Sequence, residues 1–73
     1  MSEINKKICN YIAGEWISKA KSNRAFAIDH NIDEKTVRKI LLPEGYRIPL
    51  VTINRICEAK EIKVSSFFKA LDL

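Results

Sequence analysis

The sequence is poor in the residues that cross-link small proteins or bind metals. Its 73 residues include two cysteines and one histidine. Cys9 and Cys57 each lie in an apolar helical pattern, and neither has a second cysteine or a histidine at the spacing of a metal site. This argues against a disulfide framework or a zinc site as the source of stability. We expect both cysteines to be buried as small hydrophobic residues.

Long hydrophobic runs are also missing. No stretch approaches the roughly 18 apolar residues that are needed to cross a membrane, and the segment MSEINKK lacks the apolar run of a signal peptide. We therefore expect a cytoplasmic protein in a reducing environment, without a membrane partner. The sequence also shows no alternating strand pattern, internal repeat or low-complexity tract. These features favour an all-helical fold.

The chain carries a moderate excess of positive charge. Thirteen basic and nine acidic residues give a net charge of +4, which favours a polyanionic partner but is common in domains that bind none. A chain of this length has room for one small core, so we treat residues 1–73 as a single domain. Such a core needs well-packed helices or oligomerisation for its stability.

Apolar residues at helical spacing predict five helices. The first follows an apolar stripe from Ile4 to Ala20, about four turns. Ser22 is the expected N-cap of a shorter second helix, NRAFAIDH, with its apolar side at residues 25–28. Asn31 is expected to end this helix, because asparagine tolerates the left-handed conformation.

The third helix is predicted to follow Asp33 as its N-cap and to include EKTVRKILL, ending before Pro43. The segment PEGYRIP is a predicted loop, because of its prolines and glycine. A fourth helix is indicated by the apolar residues Leu50, Ile53, Ile56, Cys57 and Ile62. Ser65 is the expected cap of the last helix, SFFKALD. Helices two and three thus occupy about residues 22–41, and helices four and five about residues 50–72.

The charges of the third helix fall on one side. At about 100° per residue, its buried edge is predicted to consist of Val37, Ile40 and Leu41. The residues predicted to face outward are Lys35, Arg38, Lys39 and Leu42, with Glu34 at the margin. Such a face can be an ordinary solvated surface. A short exposed helix that follows a tight turn from another helix can also enter a DNA major groove.

The segment SNRAFAIDHNIDEKTVRKI, with EGYRIP and TINRICEA after it, resembles the phage repressor and Cro-type helix-turn-helix family, also called the xenobiotic-response-element family of bacterial regulators. At fixed positions this family has a small residue, a turn residue and three apolar residues, which here are Ala27, Asn31, Ile32, Val37 and Ile40. The small side chain lets two helices cross closely, and asparagine permits the turn. The resemblance extends from about residue 12 to residue 73 and implies a compact five-helix domain like that of lambda repressor.

The resemblance also implies roles for individual residues. The candidate base-reading residues are Glu34, Lys35, Arg38 and Lys39. The candidate DNA-backbone contacts are Asn23, Arg24 and Arg47. For Glu34 two other roles are open, an ion pair with Arg38 four residues later and an interaction with the helix dipole.

The sequence of the last helix indicates a candidate contact surface for a second copy of the chain. Phe67 and Phe68 are adjacent, hence about 100° apart on a helix, so they cannot both point to the centre of one small core. We expect one of them to contribute to a two-fold dimer interface, for which the candidate residues are Phe67, Phe68 and Leu71. The alternative is that both aromatic rings cover the bundle locally.

These observations predict a sequence-specific DNA-binding regulator of transcription that acts as a homodimer on a palindromic operator in double-stranded DNA. A phage-type repressor, a restriction-modification controller and an antitoxin all fit a domain of this size. The alternative is a helical protein-interaction module that does not bind DNA and uses the last helix and the region of Leu42. We expect no enzyme activity, cofactor or metal, because the sequence shows no nucleophile with a base, no carboxylate pair and no metal cluster.

Overall fold

The structure, a computed structural model, describes residues 3–73, and this part of the chain forms helices and turns without any β-strand. The α-helices are α1 (Glu3–Glu15), α2 (Asn23–Asp29), α3 (Glu34–Ile40), α4 (Leu50–Ala59) and α5 (Val64–Ala70). A short 3-10 helix, Ile17–Lys19, follows α1. The predicted all-helical class is therefore confirmed. None of these helices is both long enough and apolar enough to cross a membrane.

All five helices contribute to one hydrophobic core. Its largest fully buried side chains are Phe26, Phe67, Ile12, Ile40, Ile56 and Val37. The ring of Phe67 in α5 packs edge-on against Tyr11 of α1, with 5.7 Å between the ring centroids, and lies 5.5 Å from the ring of Trp16. The first and last helices are therefore held together by aromatic packing.

The first helix is shorter than predicted. Its buried residues follow the expected stripe at Ile8, Cys9 and Ile12, but α1 ends at Glu15 and the chain then tightens into the 3-10 helix. The hydroxyl of Ser18 donates to the carbonyl oxygen of Gly14 at 2.6 Å. A side-chain donor of this kind competes with the backbone hydrogen bonds of an α-helix, which is consistent with the early end of α1.

The predicted start and end of the second helix are both confirmed. Ser22 lies at the N-cap of α2, and its side chain accepts a hydrogen bond from the backbone N–H of Ala25. Asn31 has a φ of 57° and follows the C-cap His30. Residues 30–33 form the turn between α2 and α3, and no other two elements are in such extensive contact.

Three of the helices end in the same backbone arrangement. At the ends of α2, α4 and α5, residues with a positive φ are Asn31, Glu61 and Asp72. The N–H of the following residue bonds back to the carbonyl five residues earlier, as from Ile62 to Cys57 at 3.0 Å. This is the Schellman motif, which satisfies carbonyl groups that a helix end would otherwise leave unpaired. Glutamate gains no intrinsic benefit in this conformation, whereas asparagine and aspartate tolerate it.

Several predicted core positions are wrong. Ile28 and Leu50 lie on exposed faces of α2 and α4, and Leu41 is 41% exposed. Leu41 is the C-cap of α3, because the helix ends at Ile40 and not at Leu42 as expected. The helical wheel therefore no longer applies at this residue. Leu42 is exposed, as predicted.

Of the two other predicted caps, one is confirmed in position only and one is wrong. Asp33 occupies the N-cap position of α3, but its side chain makes no capping hydrogen bond. Ser65 is not a cap, because α5 begins one residue earlier at Val64 and its N-cap is Lys63. Pro49 precedes α4 and likewise has no capping side chain. The last three helices thus begin without the local stabilisation that a side-chain cap provides.

Both cysteines are buried and unpaired, as expected. The thiol of Cys9 lies 3.4 Å from the backbone carbonyl oxygen of Tyr46, to which it donates. Burial raises the pKa of the Cys9 thiol. Burial also raises the pKa of Cys57. The two thiols are therefore core groups that resist ionisation in the folded chain.

Glu61 follows α4 in the left-handed backbone conformation and allows a test of backbone strain. We expect Glu61→Gly to raise the free energy of unfolding by about 1 kcal/mol, because a side chain in this region costs roughly that amount and glycine avoids the cost. Urea unfolding followed by circular dichroism measures the change. Glu61→Ala is the matched control and should remain near wild type. Equal stabilisation by both variants would instead assign the effect to loss of the carboxylate at a helix C-terminus.

The buried thiols predict a pH dependence of stability. A folded-state pKa above the ordinary value of 9.0 means that the unfolded chain ionises first as the pH rises. The contribution of Cys57 should be fully present at neutral pH and be lost as the pH rises through 9.0 and toward the folded-state pKa. In urea unfolding at a series of pH values, Cys57→Ala should therefore lose less stability than wild type between about pH 8 and about pH 10. Parallel losses in the two proteins would contradict the assignment.

Candidate nucleic-acid interface

Helix α3 has a buried side and a charged side. Val37 and Ile40 are almost completely buried, which fixes the orientation of the helix about its axis. The exposed basic residues of α3 are Lys35, Arg38 and Lys39. All three candidate cationic readers therefore lie in solvent on the side away from the core, as the helical wheel predicts.

The fourth candidate reader, Glu34, is engaged within the helix. Its Oε2 atom lies 3.2 Å from a terminal guanidinium nitrogen of Arg38, and the two side chains are 39% and 62% exposed. The spacing of four residues is the one that brings such side chains together on a helix. Of the two alternatives to base reading, the ion pair is thus present in the structure. Glu34 therefore neutralises part of the positive charge that α3 presents.

The loop after α3 approaches the same surface. The ammonium nitrogen of Lys39 lies 5.7 Å from the centre of the Tyr46 ring, within the range of a cation–π contact. Tyr46 is held in turn by the bond from Cys9 to its carbonyl oxygen. Arg47, the next residue, is exposed. The buried thiol of Cys9 therefore helps to position the loop that carries Arg47, a candidate contact of the DNA backbone.

The other candidate backbone contacts lie at the start of α2. Asn23 is half-buried in the first turn, directly after the capping Ser22, whereas Arg24 is exposed. The cap fixes the backbone at this point, because the Ser22 hydroxyl accepts from Ala25 at 3.0 Å. The guanidinium of Arg24 is thus available to solvent from an ordered helix start.

Sequence reasoning missed Arg55. This residue of α4 reaches the turn between α2 and α3, where its Nη1 atom lies 3.5 Å from the carbonyl oxygen of Asn31. The two groups border a polar cleft of about 290 Å³, whose other lining residues are Ile32, Asp33, Thr36 and Thr52. The signal that could have indicated this position is the polar pair Thr52 and Arg55, spaced by three residues at the edge of the buried stripe of α4.

The three candidate dimer residues differ in how far the fold buries them. Phe67 and Leu71 are buried in the core of the chain itself, and little of their surface is left for a partner. Phe68 is half-buried, and Leu73 beside it is exposed. The expectation that the two phenylalanines face different directions is therefore confirmed, with Phe67 as the inward one.

In residues 3–73, no three side chains among histidine, cysteine, aspartate and glutamate are grouped as metal ligands. His30 is buried, stacked on the ring of Phe26 at 3.8 Å, and its Nδ1 atom lies 2.7 Å from the Phe26 carbonyl oxygen. These contacts assign it to the packing of α2.

Comparison of the chain with protein-family models, with curated proteins and with solved structures gave no match.

The ion pair between Glu34 and Arg38 can be tested without a ligand. We expect a double-mutant cycle of Glu34→Ala and Arg38→Ala to give a coupling energy of about 0.3–0.5 kcal/mol, as for other exposed pairs at this spacing. Urea unfolding measures it, and the coupling should fall at about 1 M salt because exposed charges are screened. A coupling above about 1 kcal/mol that persists in salt would show that the pair has a larger structural role.

Proposed function

We propose that this chain is a sequence-specific DNA-binding regulator of transcription that inserts α3 into the major groove. In this proposal α2 and α3 act as a helix-turn-helix of the repressor and Cro type. The observation that carries it is the division of α3, in which Val37 and Ile40 are buried while Lys35, Arg38 and Lys39 are exposed. The resemblance of residues 22–41 to that family supports the same proposal.

The chemistry of the exposed face suits base edges. Lysine and arginine donate to the two acceptors of guanine in the major groove, and a carboxylate can accept from the amino group of cytosine. Arg38 and Glu34 already form a donor and acceptor pair. In the proposed complex this pair opens or rotates, so that each group meets a base. Lys35 and Lys39 need no such rearrangement of an ion pair.

The length of α3 bears on the size of the target. Its seven residues, at about 1.5 Å each, span roughly 10 Å. At about 3.4 Å per base pair this covers about three base pairs, which is too short a sequence to be selective in a genome. A homodimer doubles the site and gives a palindromic operator with half-sites about one helical turn apart. We propose Phe68 as the residue of α5 that contributes to the dimer contact, since Phe67 and Leu71 are buried.

Three residues outside α3 complete the proposed interface. Arg24 and Arg47 are exposed cations on the two segments that flank the turn and α3, and with Asn23 they are proposed to contact phosphates. Contacts of this kind position the reading helix without reading sequence. The contact from Lys39 to Tyr46 supports the assignment of Arg47, because it brings the loop to the reading face.

A protein-interaction module is the second candidate. Leu50 and Val51 are exposed in the first turn of α4, and with Asn54 and Val64 they line a largely apolar groove of about 490 Å³. Exposed apolar surface of this kind is typical of protein contacts. In this alternative the basic face of α3 remains solvated, and binding does not depend on its lysines.

The decisive experiment is selection of bound duplexes from random DNA, followed by affinity measurements over a range of salt concentrations. We expect an enriched palindromic motif. Lys35→Ala and Lys39→Ala should each cost about 1–3 kcal/mol on that motif and relax the preference at particular bases. Arg47→Ala should weaken all sequences alike and reduce the salt slope by about 1.

Lys6→Ala is the matched control, because it removes one exposed lysine from α1 and leaves α3 intact. Its affinity should stay close to wild type apart from the small effect of net charge. If no motif is enriched, and if Lys35→Ala and Lys39→Ala bind DNA no differently from Lys6→Ala, the reading role of α3 is wrong.

A further inference from the structure

A cleft outside the α3 face opens where three helices end. It has a volume of about 420 Å³, which lies within the range of small-molecule sites. The residues that matter for its chemistry are Glu15, Trp16, Lys19, Phe26, Asp29 and Lys60. They lie at or near the ends of α1, α2 and α4, and the proposed function uses none of them.

The cleft already holds a cation. The ammonium nitrogen of Lys60 lies 5.2 Å from the centre of the Trp16 ring and 5.9 Å from that of Phe26. Both distances are within the range in which an aromatic face attracts a positive charge. Phe26 is buried and stacked on His30, so the half-buried Trp16 supplies the accessible aromatic surface. The aromatic rings of the cleft therefore already have a positive charge within cation–π range.

The surroundings of the rings also favour positive charge. Glu15 and Asp29 are the last residues of α1 and α2, and neither carboxylate forms an ion pair with any other residue of the described range 3–73. Lys60 directly follows α4. Each helix C-terminus adds partial negative charge from its carbonyl groups. Three such ends and two carboxylates therefore border one aromatic cleft, an arrangement that disfavours an anionic ligand.

The charge balance depends on Lys60. Lys19 and Lys60 together offset the two carboxylates that line the cleft. When the flexible side chain of Lys60 turns out to solvent, one negative charge is left without compensation and the Trp16 ring is left uncovered. We propose that this cleft binds a small organic ammonium ion, which displaces Lys60 as the internal occupant and stacks on Trp16.

Trp16 is the only tryptophan of the chain, so its fluorescence reports on the cleft directly. The experiment titrates the wild-type protein without DNA, using choline chloride at constant ionic strength, and its outcome is independent of the proposed DNA binding. The control ligand is 3,3-dimethylbutan-1-ol, which has the shape of choline without the charge. We expect a saturable change with choline, with a dissociation constant on the order of 1 mM, and none with the alcohol.

The variants test the displacement. Lys60→Met keeps an unbranched side chain but removes the competing charge, so it should lower the dissociation constant for choline by about five- to thirty-fold. Glu15→Gln should raise it by about two- to five-fold, since this carboxylate is exposed. Lys63→Met is the matched control, because it removes an exposed lysine that does not line the cleft. It should bind choline as wild type does.

Two results would overturn the proposal. One is an equal response of the wild type to choline and to the alcohol. The other is the lack of a saturable response to choline in both the wild type and Lys60→Met. If circular dichroism shows that Lys60→Met does not fold, the wild-type comparison of the charged and neutral ligands decides alone.

Discussion

The burial of Val37 and Ile40 is the constraint on which the candidate interface depends. Full burial of such a side chain is worth about 1.5–3 kcal/mol, whereas an exposed ion pair such as Glu34 with Arg38 contributes a few tenths. The apolar side therefore decides how α3 is turned, and the charged side follows from it. Because the outward residues carry little of the stability, they can differ widely in sequence while the fold is kept.

The features that were predicted correctly depend on neighbours within a few residues. The cap at Ser22 and the left-handed turn at Asn31 are properties of single residues and their adjacent backbone. The burial of Val37 and Ile40 follows from helical spacing alone. The same spacing indicated the ion pair with Arg38 as one of the roles left open for Glu34. For the candidate interface, the sequence thus indicated which basic side chains of α3 face solvent.

The features that were missed depend on where a helix begins or ends, or on segments far apart in the chain. Leu41 was misassigned because the helix ends before it, and Leu50 because its side of α4 has no helix packed over it. Long side chains bring other distant segments together, as Lys39 does with Tyr46, Arg55 with Asn31 and Lys60 with Trp16. Periodicity gives no signal for such contacts, since each joins two elements whose relative position is set only by the complete core.

The absence of side-chain caps on α3, α4 and α5 makes the basic face of α3 dependent on the fold of the whole chain. Isolated helices of seven to ten residues are unstable in water, so α3 as a separate peptide would be a fluctuating coil without a defined basic face. The basic face of α3 therefore depends on the complete core. That core includes the aromatic contact between α1 and α5, which lie at opposite ends of the sequence. Heat or a distant core substitution would therefore remove the basic face together with the rest of the fold.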